Sequence, residues 1–326
     1  MSRGARPGRL AVALLALAGA APPLAAQSGG TTAGEVLLLP ATARELALGG
    51  AYAAIVGDEG SVFVNPAGLA AIRHAAVGMS YQPYLFGAYL ASGAAAVRVG
   101  RFDIGVGLHT LDYGQDTVYR PDPATGGETG IADPAGAMVG AYSAEAVTSL
   151  AYRFGMFSLG TSAKYVRDHM SIPDTALYDA SGPAFDVGGA LAFFDIAALG
   201  VVVQNLGPDL RTNTGTPAPL PRTVRAGFSL NIVDPEETSR LMVTGDFVAP
   251  RGRGSYWAFG VEGGVVAGGV GLLGRLGFAS GRAPGDERSL VVGGGLVFHN
   301  LRLDYGYQGF GSMGTGTSSF GIRWVP

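Results

Sequence analysis

The sequence predicts an all-β chain, a closed antiparallel transmembrane β-barrel of about fourteen strands with a small helical N-terminal hatch in its lumen. Three observations lead there. The 326 residues are 48% hydrophobic with a mean hydropathy of +0.28, yet beyond the N-terminus no apolar run reaches the eighteen residues a spanning helix needs. Apolar residues instead alternate with small or charged ones at period two. The connections between alternating stretches are themselves alternately long and tight, the signature of outer-membrane barrels.

The chain opens with an export signal. Arg3, Arg6 and Arg9 precede a short apolar stretch from Leu10 to Ala18, and small residues follow to Ala26. Residues 1–26 therefore read as a signal peptide removed on export, which implies a bacterial outer-membrane location for the barrel. The absence of cysteine excludes disulfide scaffolds and thiolate metal sites. The net charge of -3, with no basic patch, gives nucleic acid no footing. The four histidines show no metal-ligand spacing, and no nucleophile motif occurs. No enzyme, cofactor or metal is expected.

Residues 27–73 form a polar leader and then the hatch. Thr42-Ala43-Arg44-Glu45 is a capping-box pattern, and Gly49-Gly50 ends the helix it begins. Asn65-Pro66 begins a second helix, with Asn as cap and Pro preorganised at the first helical position. On that basis Asn65→Ala costs about 1 kcal/mol, and Asn65→Asp, still able to cap, behaves like wild type. Two such short helices cannot fold alone, and a barrel lumen supplies the surface they need.

Residues 74–326 form the barrel. Phe102 to His109 shows the pattern, with Phe, Ile, Val and Leu on one face and Asp, Gly, Gly and His on the other. Long connections are expected near 83–87, 113–138, 168–180, 207–221, 250–254, 281–288 and 310–316. A charge facing lipid at the midplane costs about 2–4 kcal/mol. Arg98, Asp103, Lys164, Asp186, Arg225, Asp246, Glu262, Arg275, Asp304 and Arg323 should therefore point into the lumen; both signs are interspersed, which favours a salt-bridged lumen that holds the hatch over the alternative, a permeation path. Lumen-facing glycine, part of the chain's 54, leaves room for it. Aromatic girdles account for most rings near strand ends. Tyr81, Tyr84, Leu85 and Phe86, in and beside the first long connection, could instead admit an apolar ligand.

The stretch from Leu38 to Leu69, with Gly49, Gly50 and then Asn65, Pro66, Ala67 and Gly68, resembles the hatch of the FadL-like outer-membrane barrels, and most closely the PorV/PorQ branch. Two positions depart from the pattern, Val64 where an aromatic is usual and Glu59-Gly60 within an acidic stretch. The resemblance implies passive passage of hydrophobic small molecules through a barrel whose outer wall meets membrane lipid. For the branch it implies an alternative, a partner of secreted proteins in type IX secretion or a structural interaction protein.

Overall fold

The structure is a computed structural model that describes residues 32–84, 87–125, 130–133, 136–173, 175–193, 196–233, 238–281, 290–310 and 315–326. The expected signal peptide, the first residues of the leader, and Leu85 and Phe86 lie outside the described residues.

Among the described residues, seventeen strands follow a short helical stretch. They are β1 (Ala75–Pro83), β2 (Tyr89–Val99), β3 (Phe102–Thr117), β4 (Tyr119–Pro121), β5 (Gly130–Ala132), β6 (Met138–Phe154), β7 (Phe157–Ile172), β8 (Thr175–Phe193) and β9 (Ala197–Leu206). Then come β10 (Arg211–Thr212), β11 (Thr223–Val233), β12 (Ser239–Pro250), β13 (Tyr256–Ala267), β14 (Val270–Ala279), β15 (Leu290–Phe298), β16 (Leu301–Phe310) and β17 (Thr315–Trp324). Fourteen of them pair antiparallel in a ring. It runs β9-β8-β7-β6-β3-β2-β1-β17-β16-β15-β14-β13-β12-β11 and returns to β9. Strand β10 adds to β8 at the rim, and β4 and β5 form a separate small hairpin. Closure leaves no edge whose backbone groups would be stranded in lipid.

The alternation read from the sequence is the alternation of the wall. On β3, Phe102, Ile104, Val106 and Leu108 face outward, whereas Asp103, Gly105, Gly107 and His109 are buried inward. Rings gather at both margins of the apolar belt. Tyr152, Phe154 and Phe157 stack in series at the tight-turn end, and near the other Trp257 stacks on Phe259 and meets Phe247 at a tilt.

Strands β3, β6, β7 and β8 are longer than the sequence suggested. The expected loop at 168–180 is largely ladder, with Asp168 paired to Ala180 and Ile172 to Thr175. The expected 113–138 loop loses both ends to a ladder that resumes after a bulge between Asp112 and Gln115. One side of the barrel thus stands taller than the other.

The segment before β1 contains a 3-10 turn (Glu35–Leu38), helix α1 (Ala43–Ala47), helix α2 (Ser61–Val64) and a second 3-10 turn (Pro66–Ala71). Asn65-Pro66 begins that 3-10 turn rather than an α-helix, and α2 was not anticipated. The segment traverses the lumen. Ala33 donates to Pro219 O on the long-connection side, and Ile72 leads to β1 at the tight-turn side.

Candidate functional site

The backbone of the lumen segment sets its needs. Between Gly50 and Ala54 it makes few hydrogen bonds of its own, so buried carbonyls and N–H groups there require partners. The inward wall side chains supply them. Asp246 Oδ2 accepts from Tyr52 N and Ala53 N, both at 2.8 Å. Arg225 Nη1 donates to Gly50 O at 3.2 Å, Thr244 Oγ1 to Ala51 O at 3.3 Å and Ser229 Oγ to Ala54 O at 3.1 Å. Arg98 pairs with Asp103 at 3.1 Å and donates to Ala70 O at 2.7 Å.

Close approach is possible because the wall is glycine where the segment touches it. A Cβ on Gly160 would overlap Ala67 N and the Pro66 carbonyl carbon, and one on Gly200 would overlap Ala53 O. Gly277 faces Gly49 N in the same way, and Gly105 and Gly107 accept Val62, Leu69 and Phe63. Backbone lies against backbone, which only glycine permits.

Asn65 is fully buried. Its Oδ1 accepts from Ala67 N at 3.2 Å, the capping role expected. Its Nδ2 also donates to Ala53 O at 2.7 Å and Gly189 O at 3.3 Å. Those two donations revise the expectation. Asn65→Ala should lower unfolding stability by about 2–3 kcal/mol, since a buried carbonyl loses its partner along with the cap. Asn65→Asp should also be destabilising, because a carboxylate cannot donate to Ala53 O. Denaturant unfolding of the refolded barrel checks both.

A second set of contacts is ionic. Glu262 holds Arg44 through both carboxylate oxygens at 3.1 and 3.0 Å, Arg275 at 2.6 Å and Arg302 at 2.7 Å. Asp304 takes the remaining reach of Arg275 and Arg302 at 2.6 and 2.9 Å. Arg323 reaches Glu59 at 2.6 Å and Asp58 at 3.4 Å, and Asp58 also takes Arg44 at 2.9 Å. Across the lumen, Lys164 sits between Glu145 at 3.3 Å and Asp186 at 2.9 Å, with His109 at 3.6 Å from Glu145. Every charged wall residue named from the sequence points inward, and each has a partner on the wall or on the lumen segment. Sequence reasoning missed Arg44, Asp58 and Glu59 as their counterparts. They stand among the few charges of a short, largely apolar segment, and that was the available signal.

The aromatic set beside the first connection is divided by the wall. Tyr81 is half exposed on the outer face, 5.7 Å from the Tyr89 ring. Tyr84 packs on an inner apolar cluster that includes Val36, Leu37, Leu90, Leu111, Leu210 and Leu220. That cluster fills the lumen at the long-connection side. Among the described residues no group of three His, Asp or Glu side chains is placed to hold a metal.

The outer face carries a broad concavity of about 1800 Å³ spanning β1–β3, β6, β7 and β14–β17. Met79, Leu108, Leu272 and Ile322 line it with apolar side chains. Its floor is built of small residues, among them Gly78, Ala91, Gly93, Ala94, Ala95 and Gly107. The ladders β1–β2 and β2–β3 are continuous there, so the floor is one strand thick. Directly behind it, Gly78 rests on Glu59 and Gly107 on Phe63.

No family model matches the chain, and no curated relative is found at a significant level. Solved structures share its fold. The toluene transporter TbuX of Ralstonia pickettii is 12% identical, with 89% of this chain and 100% of that one covered at a TM-score of 0.59. A FadL homologue of Pseudomonas aeruginosa is 13% identical over 87% and 98%, at 0.54. The toluene transporter TodX of P. putida is 12% identical over 91% and 97%, at 0.56. At these identities the likeness establishes the closed fourteen-strand barrel shared with FadL-type proteins.

Proposed function

We propose that the chain is an outer-membrane channel for passive passage of hydrophobic small molecules, with residues 34–72 as its hatch. The apolar concavity on the outer face carries the reading. It gathers apolar solutes from the membrane against a floor of small residues, and the hatch stands immediately behind that floor. The likeness to the toluene transporters TbuX and TodX supports an apolar cargo. The apolar outer belt with its two ring girdles supports the outer membrane as the site.

The test is uptake. Proteoliposomes or cells carrying the protein should accumulate toluene or an alkylated dye faster than controls, and glucose no faster. Gly93→Trp fills the concavity from outside, where a Cβ meets nothing nearer than 4.0 Å, and should cut uptake about five-fold or more. Equal uptake with and without the protein would end this reading.

A second reading draws on the filled lumen. The apolar cluster of Val36, Leu90, Leu111 and Leu220 packs the long-connection side as a core would. That suits a PorV/PorQ-type partner of secreted proteins, which needs a platform rather than a path. Specific co-purification of secreted proteins, without uptake, would favour it.

A further inference from the structure

A cavity of about 20 Å³, room for a single water, lies where the lumen segment meets β1, β2 and β17. Arg44, Tyr52, Asp58, Glu59 and Arg323 line it. Tyr52 Oη is buried there without a hydrogen-bond partner. Glu59 presses its Oε1 onto Gly78, at a point where any side chain on β1 would collide with it.

The carboxylates compete for few cations. Arg44 spends two of its nitrogens on Glu262 and the third on Asp58. Arg323 serves both Asp58 and Glu59. From β16, Asp304 adds a further negative charge at the cavity, while Arg302 acts on Asp58. Strands β1 and β2 bring only the hydroxyls of Ser80 and Ser92. Glu59 is therefore left with half of one guanidinium.

We propose that Glu59 is a pH-sensitive latch: protonated, it lets the lumen segment dock against β1 and β17, and ionised, it loosens that docking.

Burial and the neighbouring Asp58 push Glu59 up to about 7, against the pull of Arg323. Burial also acts on Asp58, but Arg323 and Arg44 outweigh it and hold that carboxyl well below the usual range. Burial and Asp58 push Tyr52 up, so it stays a neutral donor beside them. The docked segment thus binds a proton that the undocked, hydrated segment releases near the ordinary value of 4.5. Docking is strongest below that value and weakens as pH rises to about 7. The full change is roughly two to three orders of magnitude in the docking equilibrium.

The experiment reads docking itself, so its outcome is separable from what the barrel passes. Ser61, buried two residues from Glu59, is replaced by Cys in this cysteine-free chain, and exposed Met156 is replaced by Cys as the reference. The purified barrel is treated with a membrane-impermeant maleimide from pH 5.5 to 8.5. Labelling follows the open population, and the ratio of Ser61→Cys to Met156→Cys cancels the thiol's own titration. The ratio should rise about ten-fold or more across this range. Adding Glu59→Gln should flatten it, and adding Asp58→Asn should move the midpoint to lower pH. A flat ratio in the parent, or an equal rise with Glu59→Gln, overturns the latch. Should Glu59→Gln fail to assemble, an unmoved midpoint with Asp58→Asn overturns it as well.

Discussion

Gly160→Val is expected to expel the Pro66–Ala71 turn from the barrel wall while leaving the barrel closed. Gly160 faces inward on β7, directly against the Pro66–Ala67 peptide, and a Cβ there overlaps main-chain atoms. A side chain in the way could rotate aside, but a peptide cannot. The turn must move, and the Asn65 bonds to Ala53 O and Gly189 O move with it. A loss of about 3 kcal/mol or more in docking raises the open population by roughly 100-fold. Maleimide labelling at Ser61→Cys should report it, with heat-modifiable migration unchanged. Gly189→Ala is the control, since its Cβ faces outward and meets Leu159 at an ordinary 3.6 Å. Parent-like labelling in Gly160→Val would mean that β7 does not hold the turn.

The second large effect belongs to Glu262. Its removal leaves Arg44, Arg275 and Arg302 together with Asp304 as the nearest remaining anion for the two wall arginines. Breaking a buried ion cluster by deleting one member costs about 3–5 kcal/mol, because the partners stay buried and uncompensated. Glu262→Ala should lower the denaturant midpoint of the refolded barrel accordingly. Arg251→Ala, at an exposed turn just after the neighbouring strand, should stay within about 0.5 kcal/mol of the parent. Equal midpoints for the two variants would remove the cluster from the account of what holds the segment.

The barrel was legible because lipid allows only one pattern on its outer face. Every strand that crosses must alternate, so all fourteen could be read from period two. The long-side ends of β3, β6, β7 and β8 were read short for the same reason. Past the membrane the outer face no longer has to be apolar, and Gln115, Asp116, His169 and Asp179 continue a ladder without the signal. Inward charges were legible from the cost of the alternative, but their partners were not. Arg44 and Glu262 are 218 residues apart, and nothing local in either stretch points to the other. Lumen glycine was expected to make room. Which glycine meets which peptide depends on barrel register, which single-strand patterns do not carry. The concavity is a property of curvature across many strands, and no one of them encodes it.

The ring closes between β1 and β17 over five registered pairs, Val77 with Trp324 through Tyr81 with Phe320, the shortest ladder around it among the described residues. The same segment is tied to both sides of that seam, through Ser80 to Ala43 N on β1 and through Arg323 to Glu59 on β17. It also runs the height of the lumen, from Pro219 at one rim to β1 at the other. The finished molecule is therefore a hoop closed around a thread. A thread fixed to the hoop at one end and passing through it cannot be inserted afterwards without drawing its free end across the whole bore. Assembly then has a natural order in which the N-terminal segment is laid down first, bridges the two closing strands as a staple, and is enclosed when they meet. Variants that weaken the staple should slow maturation before they weaken the mature barrel.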